Sequence, residues 1–185
     1  MHDSTTDQAH QHGRNNLSIG VIGLGRMGLG AALRLKRAGW RVSGYDVSPN
    51  SRCKALEQDL DVAEDLAQLC RSLPAPRLIW LMIPAGEPVD MVLFGDPSAK
   101  GATPGLAANL KPGDIIIEAG NSFYRDSQRR AAALEPRGLA FLDCGTSGGV
   151  EGAEKGFCLM VGGPPEIFEA ARPLFASLAG PGGYT

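Results

Sequence analysis

Apolar positions along this chain follow two alternating patterns. Short apolar runs occupy residues 17–22 (LSIGVI), 77–83 (RLIWLMI), 114–118 (DIIIE) and 157–161 (FCLMV), with weaker runs at 41–45 (RVSGY) and 139–143 (LAFLD). Runs of this length without polar alternation predict strands buried on both faces. Helical spacing fills the intervals. Residues 26–38 place Met27, Leu29, Ala32, Leu33 and Leu35 on one broad face, with Gly39 as the stop. Ser48-Pro49 opens another helix, and helical stretches are predicted at 62–69, 89–93, 106–110, 125–135 and 165–178. Residues 95–105 read as a loop, Lys111-Pro112-Gly113-Asp114 as a turn, and the glycine-rich 145–156 as an active-loop candidate. Strands alternating with helices predict a doubly wound α/β fold: a mainly parallel sheet in three layers, with right-handed crossovers. No internal repeat is visible.

The two ends break the pattern. Residues 1–16 are polar and aperiodic and predict a disordered tail, so the folded region is 17–185. Residues 179–185 (AGPGGYT) read as a linker or turn, which predicts a fragment whose natural continuation is missing. Composition adds few constraints. Hydrophobic residues at 43% and charged residues at 21% are those of an ordinary soluble domain. A net charge of -2 offers no basic surface for nucleic acid. No apolar run reaches the ~18 residues of a membrane span, and no secretory signal opens the chain. Cys53, Cys70, Cys144 and Cys158 form no C-x-x-C pair and read as small hydrophobes in a reduced, cytoplasmic protein. All three histidines, His2, His10 and His12, fall in the tail. The folded region therefore has neither a histidine-based triad nor a histidine-ligated metal, and no metal site is expected.

Candidate chemistry begins at Gly23-Leu24-Gly25-Arg26-Met27-Gly28. This G-x-G-x-x-G loop directly follows a predicted strand and opens a predicted helix, the context of a Rossmann-type dinucleotide site. Gly23 permits the tight turn, Gly25 lets the backbone approach a pyrophosphate, and Gly28 lets the helix pack closely. The helix N-terminus supplies N–H donors and partial positive charge. Asp46, at the end of the second predicted strand, is placed to accept from ribose hydroxyls and to repel a 2′-phosphate, favouring NAD over NADP. Arg52 nearby argues the other way, since a guanidinium holds such a phosphate.

Three more loops fall at predicted strand ends: Pro84-Ala85-Gly86, Gly120-Asn121-Ser122 and Thr146-Ser147-Gly148-Gly149. Their small residues let backbone N–H groups reach a ligand, and Asn121 and Ser147 suit a polyhydroxylated substrate. The succession GLGRMG, LMIPAG, EAGNSFYRD and CGTSGGVEGAEKGFCLMVGG resembles the N-terminal domain of decarboxylating 6-phosphogluconate dehydrogenases, most closely their shorter bacterial branch. The resemblance runs from Leu17 to about Tyr184. It implies oxidation of 6-phosphogluconate at C3 and decarboxylation to ribulose 5-phosphate, with NAD or NADP as cofactor. It implies that Gly23, Leu24, Gly25, Arg26, Met27 and Gly28 cradle the pyrophosphate and Asp46 meets the ribose. Ile83, Pro84 and Ala85 would line the nucleotide, Asn121 would stand between cofactor and substrate, and Ser147, Gly148 and Gly149 would hold the substrate.

The sequence departs from that family in three respects. Glu118-Ala119-Gly120-Asn121 stands where Asp-Gly-Gly-Asn is usual, and the loop at 95–105 is long. The family's general base, a lysine in K-x-x-x-N, is absent, so no catalytic residue is expected within the chain. That lysine would lie beyond Thr185, in an all-helical domain that also makes a homodimer or homotetramer. Lys155, among Glu151 and Glu154, reads as a solvated surface lysine. Two other readings stand beside this one: a domain of a hydroxyisobutyrate or tartronate semialdehyde dehydrogenase, and a stand-alone, non-catalytic NAD(P)-binding module.

Overall fold

The structure, a computed structural model, describes residues 17–96 and 104–184. The tail expected at 1–16 and most of the loop expected at 95–105 lie outside the described residues. Among the described residues, one eight-stranded sheet runs in the order β3-β2-β1-β4-β5-β6-β7-β8. The chain starts near the middle with β1 (Ser18–Ile22) and steps outward through β2 (Arg41–Tyr45) to β3 (Asp61–Val62). It then crosses back over β1 to β4 (Leu78–Leu81), β5 (Ile115–Glu118) and β6 (Ala140–Ser147). All pairings among these strands are parallel. β7 (Phe157–Gly162) turns back antiparallel to β6, and β8 (Ala179–Tyr184) pairs parallel to β7. The winding reverses between β1 and β4, which opens a crevice at the carboxyl ends of those strands.

Helices fill the connections. α1 (Arg26–Arg37), α2 (Pro49–Leu56) and α3 (Leu66–Ser72) follow β1, β2 and β3. α4 (Glu87–Phe94) and α5 (Leu106–Asn109) join β4 to β5, and α6 (Tyr124–Leu134) joins β5 to β6. α7 (Gly152–Lys155) and α8 (Pro165–Leu178) flank β7. The unbroken apolar runs serve two cores. Ile115 and Ile117 of β5 join Ala31, Leu35 and Phe175 on one face of the sheet, while Ile116 joins Leu69, Val89 and Leu134 on the other. A strand sandwiched in this way has no solvent side and so no polar alternation. α1 lies so close to α7 that a Cβ at Gly30 would stand 2.9 Å from the Cβ of Ala153. Its Arg34 donates to the carbonyls of Glu154, Ser177 and Ala179 and so ties α1 to α7 and to the end of α8.

The structure corrects several expectations. The helix expected at 62–69 begins only at Leu66, because Asp65 caps it by accepting from the Gln68 N–H at 2.6 Å. Val62 belongs to the edge strand β3 instead. The glycine-rich stretch at 145–156 is mostly regular: β6 continues to Ser147 by pairing with β7, then a 3-10 turn and α7 follow. Residues 179–184 form a strand and not a linker. Here the glycines serve close approach, since a Cβ on Gly156 would overlap the backbone of Gly180. The thiols divide into two pairs. Cys70 and Cys144 are buried, and burial pushes them up to about 11 and about 12, whereas Cys53 and Cys158 are exposed and are not core residues. Among the described residues, no helix is long and apolar enough to cross a membrane.

Candidate functional site

The six-residue loop after β1 is built from its glycines. Gly23 takes φ +92, a region open to glycine, and donates its N–H to the carbonyl of Tyr45 at 2.8 Å. A Cβ there would overlap the carbonyl of Met82, and a Cβ on Gly28 would overlap the carbonyl of Gly23. These two glycines are required by the loop itself. Gly28 therefore serves the close approach within the loop more than packing of helix on sheet. Gly25 differs from both: its φ is an ordinary -64, and a Cβ would meet nothing within 4 Å. Its bareness meets no need of the chain's own packing. It leaves room over the first turn of α1, whose N-terminus no side chain caps. Such an end offers backbone donors to an anion.

Asp46 stands at the end of β2 as expected, half-buried. One carboxylate oxygen accepts the Leu24 N–H at 2.6 Å and the other the Ser48 N–H at 2.7 Å. The carboxylate thus staples the glycine loop to the β2–α2 turn. The Leu24 side chain is buried against Gly44, so its part is structural, through its N–H. Arg52 turns back on the backbone, donating to the Asp46 carbonyl at 2.7 Å. A cleft of about 360 Å³ is lined by Gly23, Gly25, Asp46, Ile83 and Pro84, together with Tyr45, Val47 and Met91. Pro84 and Ala85 are exposed beyond β4.

A second cleft of about 200 Å³ lies on the other side of Gly25 and is lined by Arg26, Met27, Gly28, Met82, Ile83, Gly120 and Asn121. Asn121 takes φ +59, uncommon for a residue with a side chain. Its carboxamide is already engaged with the backbone of Thr146, accepting from the N–H at 2.8 Å and donating to the carbonyl at 3.1 Å. Asn121 therefore joins the β5 loop to the end of β6, with one amide hydrogen left to offer. Ser147, Gly148 and Gly149 are exposed beyond that junction and line neither cleft. Lys155 is 74% exposed and pairs with Glu151 at 2.7 Å on the surface, as its setting in the sequence suggests.

Sequence reasoning missed the cluster behind these loops. Arg130 of α6 is fully buried. It donates to the Gly86 carbonyl at 2.8 Å, to Asp90 of α4 at 2.9 Å and to the Ser122 hydroxyl at 3.0 Å. Glu118, also fully buried, accepts from the Gly120 N–H at 2.9 Å with one oxygen; the other stands 3.8 Å from Arg130 without a hydrogen bond. A sequence signal exists: Arg130 shares the helix face of Ser127 and Leu134, at the spacing of core positions. Burial pushes the Asp90 carboxyl up, but hydrogen bonds and charge from Arg130 and Arg129 outweigh it and hold the group below its ordinary 3.8. Because the folded-state value is depressed, this pairing stabilises the fold above the ordinary value, and the contribution disappears as pH falls through the folded value. The unsubstituted chain should therefore exceed Asp90→Asn in urea midpoint at neutral pH, and the difference should vanish as pH falls well below 3.8. A difference that persists in acid contradicts the pairing.

A family model described as the NAD binding domain of 6-phosphogluconate dehydrogenase matches residues 18–183. The NAD(+)-dependent, decarboxylating 6-phosphogluconate dehydrogenase of Haloferax volcanii is 40% identical over 169 residues, covering 91% of this chain and 52% of that protein. The decarboxylating 6-phosphogluconate dehydrogenase of Chlamydia pneumoniae is 39% identical, over 88% of this chain and 33% of that protein. Among solved structures, 3-hydroxyisobutyrate dehydrogenase of Mycobacterium tuberculosis with L-serine superimposes with a TM-score of 0.76 at 27% identity, over 89% of this chain and 52% of that one. The chain spans about half the length of these relatives or less.

Proposed function

Because the chain belongs to the family of the NAD-binding domain of 6-phosphogluconate dehydrogenase, we propose that it holds the cofactor of an oxidoreductase converting 6-phosphogluconate to ribulose 5-phosphate. The observation that carries this reading is Gly25. Its neighbours Gly23 and Gly28 are demanded by the loop, while Gly25 faces open space above an uncapped helix end. That space suits a pyrophosphate, held by backbone N–H groups of Arg26, Met27 and Gly28. Val47, Ile83 and Pro84, in the cleft beside Asp46, would hold the adenosine. Each Asp46 oxygen accepts one backbone N–H and keeps a second lone pair for a ribose hydroxyl. Its charge opposes a 2′-phosphate, and Arg52 is turned away to the backbone, so NAD is preferred to NADP.

Met82, Ile83, Gly120 and Asn121, which line the second cleft, would hold the nicotinamide end. A nicotinamide held there would supply the hydride acceptor for oxidation at C3 of the sugar acid. Asn121 fixes the boundary between cofactor and substrate, and Ser147, Gly148 and Gly149 present a hydroxyl and backbone donors to the substrate. No lysine here stands in a K-x-x-x-N motif, and Lys155 is a surface ion-pair partner. The general base is expected C-terminal to Thr185. The relatives at 39–40% identity are 6-phosphogluconate dehydrogenases, which favours that substrate over hydroxyisobutyrate. Calorimetry with NAD and NADP tests the reading. NAD is expected to bind tighter by roughly tenfold or more, because its free ribose hydroxyl meets a charged acceptor where NADP would set phosphate against carboxylate. Tighter NADP binding overturns the preference, and binding of neither nucleotide overturns the function. Turnover of 6-phosphogluconate by the 185-residue chain alone overturns the placement of the base.

A further inference from the structure

We propose that Arg130 is the positioning residue of the nicotinamide half-site, a buried guanidinium that sets the gap between the loop after β4 and the loop after β5. The proposal rests on the dinucleotide reading above. Arg130 reaches both loops at once, through the Gly86 carbonyl at 2.8 Å and the Ser122 hydroxyl at 3.0 Å. Asp90 holds its outer edge at 2.9 Å and Glu118 balances its charge at 3.8 Å. Those loops carry Ile83, Gly120 and Asn121, which line the smaller cleft, whereas Arg130 lines none of it and acts from behind.

Two features favour positioning over mere packing. A planar guanidinium has a rigid fork of donors, so it fixes the separation of its acceptors as well as binding them. The loop after β5 also holds a residue with a side chain at positive φ, Asn121 at +59, directly before the guanidinium's partner Ser122. Backbone in that region persists where surrounding structure over-determines it. Apolar residues of similar volume often fill a core at least as stably as a buried ion pair. The Arg130 network is thus explained better by the geometry it imposes than by stability.

The test separates the two ends of the dinucleotide. Arg130→Lys keeps the charge and loses the fork, and Asp90→Asn is a milder loosening that leaves Arg130 beside Glu118. Both variants should bind ADP-ribose within about twofold of the unsubstituted chain, yet bind NADH more weakly, about tenfold for Arg130→Lys and less for Asp90→Asn, with the ring's emission change on binding diminished. Equal losses for ADP-ribose and NADH overturn the proposal, as does unchanged NADH affinity and emission in both variants. An unsubstituted chain that binds ADP-ribose but leaves NADH emission unaltered also overturns it, while leaving the dinucleotide reading in place. Failure to bind either probe overturns both.

Discussion

Gly25→Ala is expected to leave the melting temperature within about a degree of the unsubstituted chain and to weaken NAD binding roughly 10–100-fold. The contrast with its neighbours makes the experiment decisive. At Gly25 the backbone is in an ordinary region and the added methyl meets no protein atom. The only thing it can obstruct is a ligand lying on the turn, where losing one charge-assisted hydrogen bond costs about 1.5–3 kcal/mol. Gly28→Ala should behave differently. Its methyl would overlap the Gly23 carbonyl, so the turn must open. Overpacking of this kind costs about 1–3 kcal/mol, and for a domain of this size lowers the melting temperature by roughly 2–12 °C. Binding is lost there too, but through the fold. Differential scanning fluorimetry with calorimetry distinguishes the two. Wild-type NAD affinity in Gly25→Ala would sink the cradle.

Asp46→Asn should remove the preference for NAD. The amide keeps one acceptor oxygen but presents hydrogens to a backbone N–H, from either Leu24 or Ser48, that now has an acceptor at 2.6 or 2.7 Å. One donor is left unmatched, a cost of about 1–3 kcal/mol in stability. The same change removes the negative charge that opposes a 2′-phosphate. NAD affinity should fall roughly tenfold or more while NADP affinity holds or rises, bringing the two to parity or beyond. If both nucleotides weaken equally, Asp46 is only a staple between the glycine loop and the β2–α2 turn, and discrimination belongs elsewhere.

Much of this is legible from residue order, for a physical reason. Strands buried on both faces must be apolar throughout, so β1, β4 and β5 stand out as runs. The glycine loop stands out because two of its positions admit no side chain and the third, on the proposed reading, is kept bare for a ligand. β3 and β8 are hidden. The two residues of β3 carry no pattern, and in β8 the two residues registered on β7, Ala179 and Tyr184, are separated by a Gly-Pro-Gly-Gly stretch that reads as a turn. The start of α3 is hidden because Val62 and Leu66 keep helical spacing across the Asp65 cap. Arg130 is hidden because an arginine on a helix reads as solvated unless its neighbours on the same face are weighed. The departure at Glu118-Ala119 has a structural account: Ala119 is fully buried within the core, and the Glu118 chain folds over the Gly120 N–H.

The close approach of Gly30 to Ala153 has a consequence for how the sequence can vary. With helices packed to within one methyl group, residues 30 and 153 behave as a single site of variation spread over two loci. Drift to a larger residue at either is blocked while the other stays as it is, because Arg34, one turn along α1, fixes the helices' separation through the carbonyl of Glu154 next to Ala153. A library randomised at position 30 alone should return glycine. One randomised at both positions should return pairs of nearly constant summed volume.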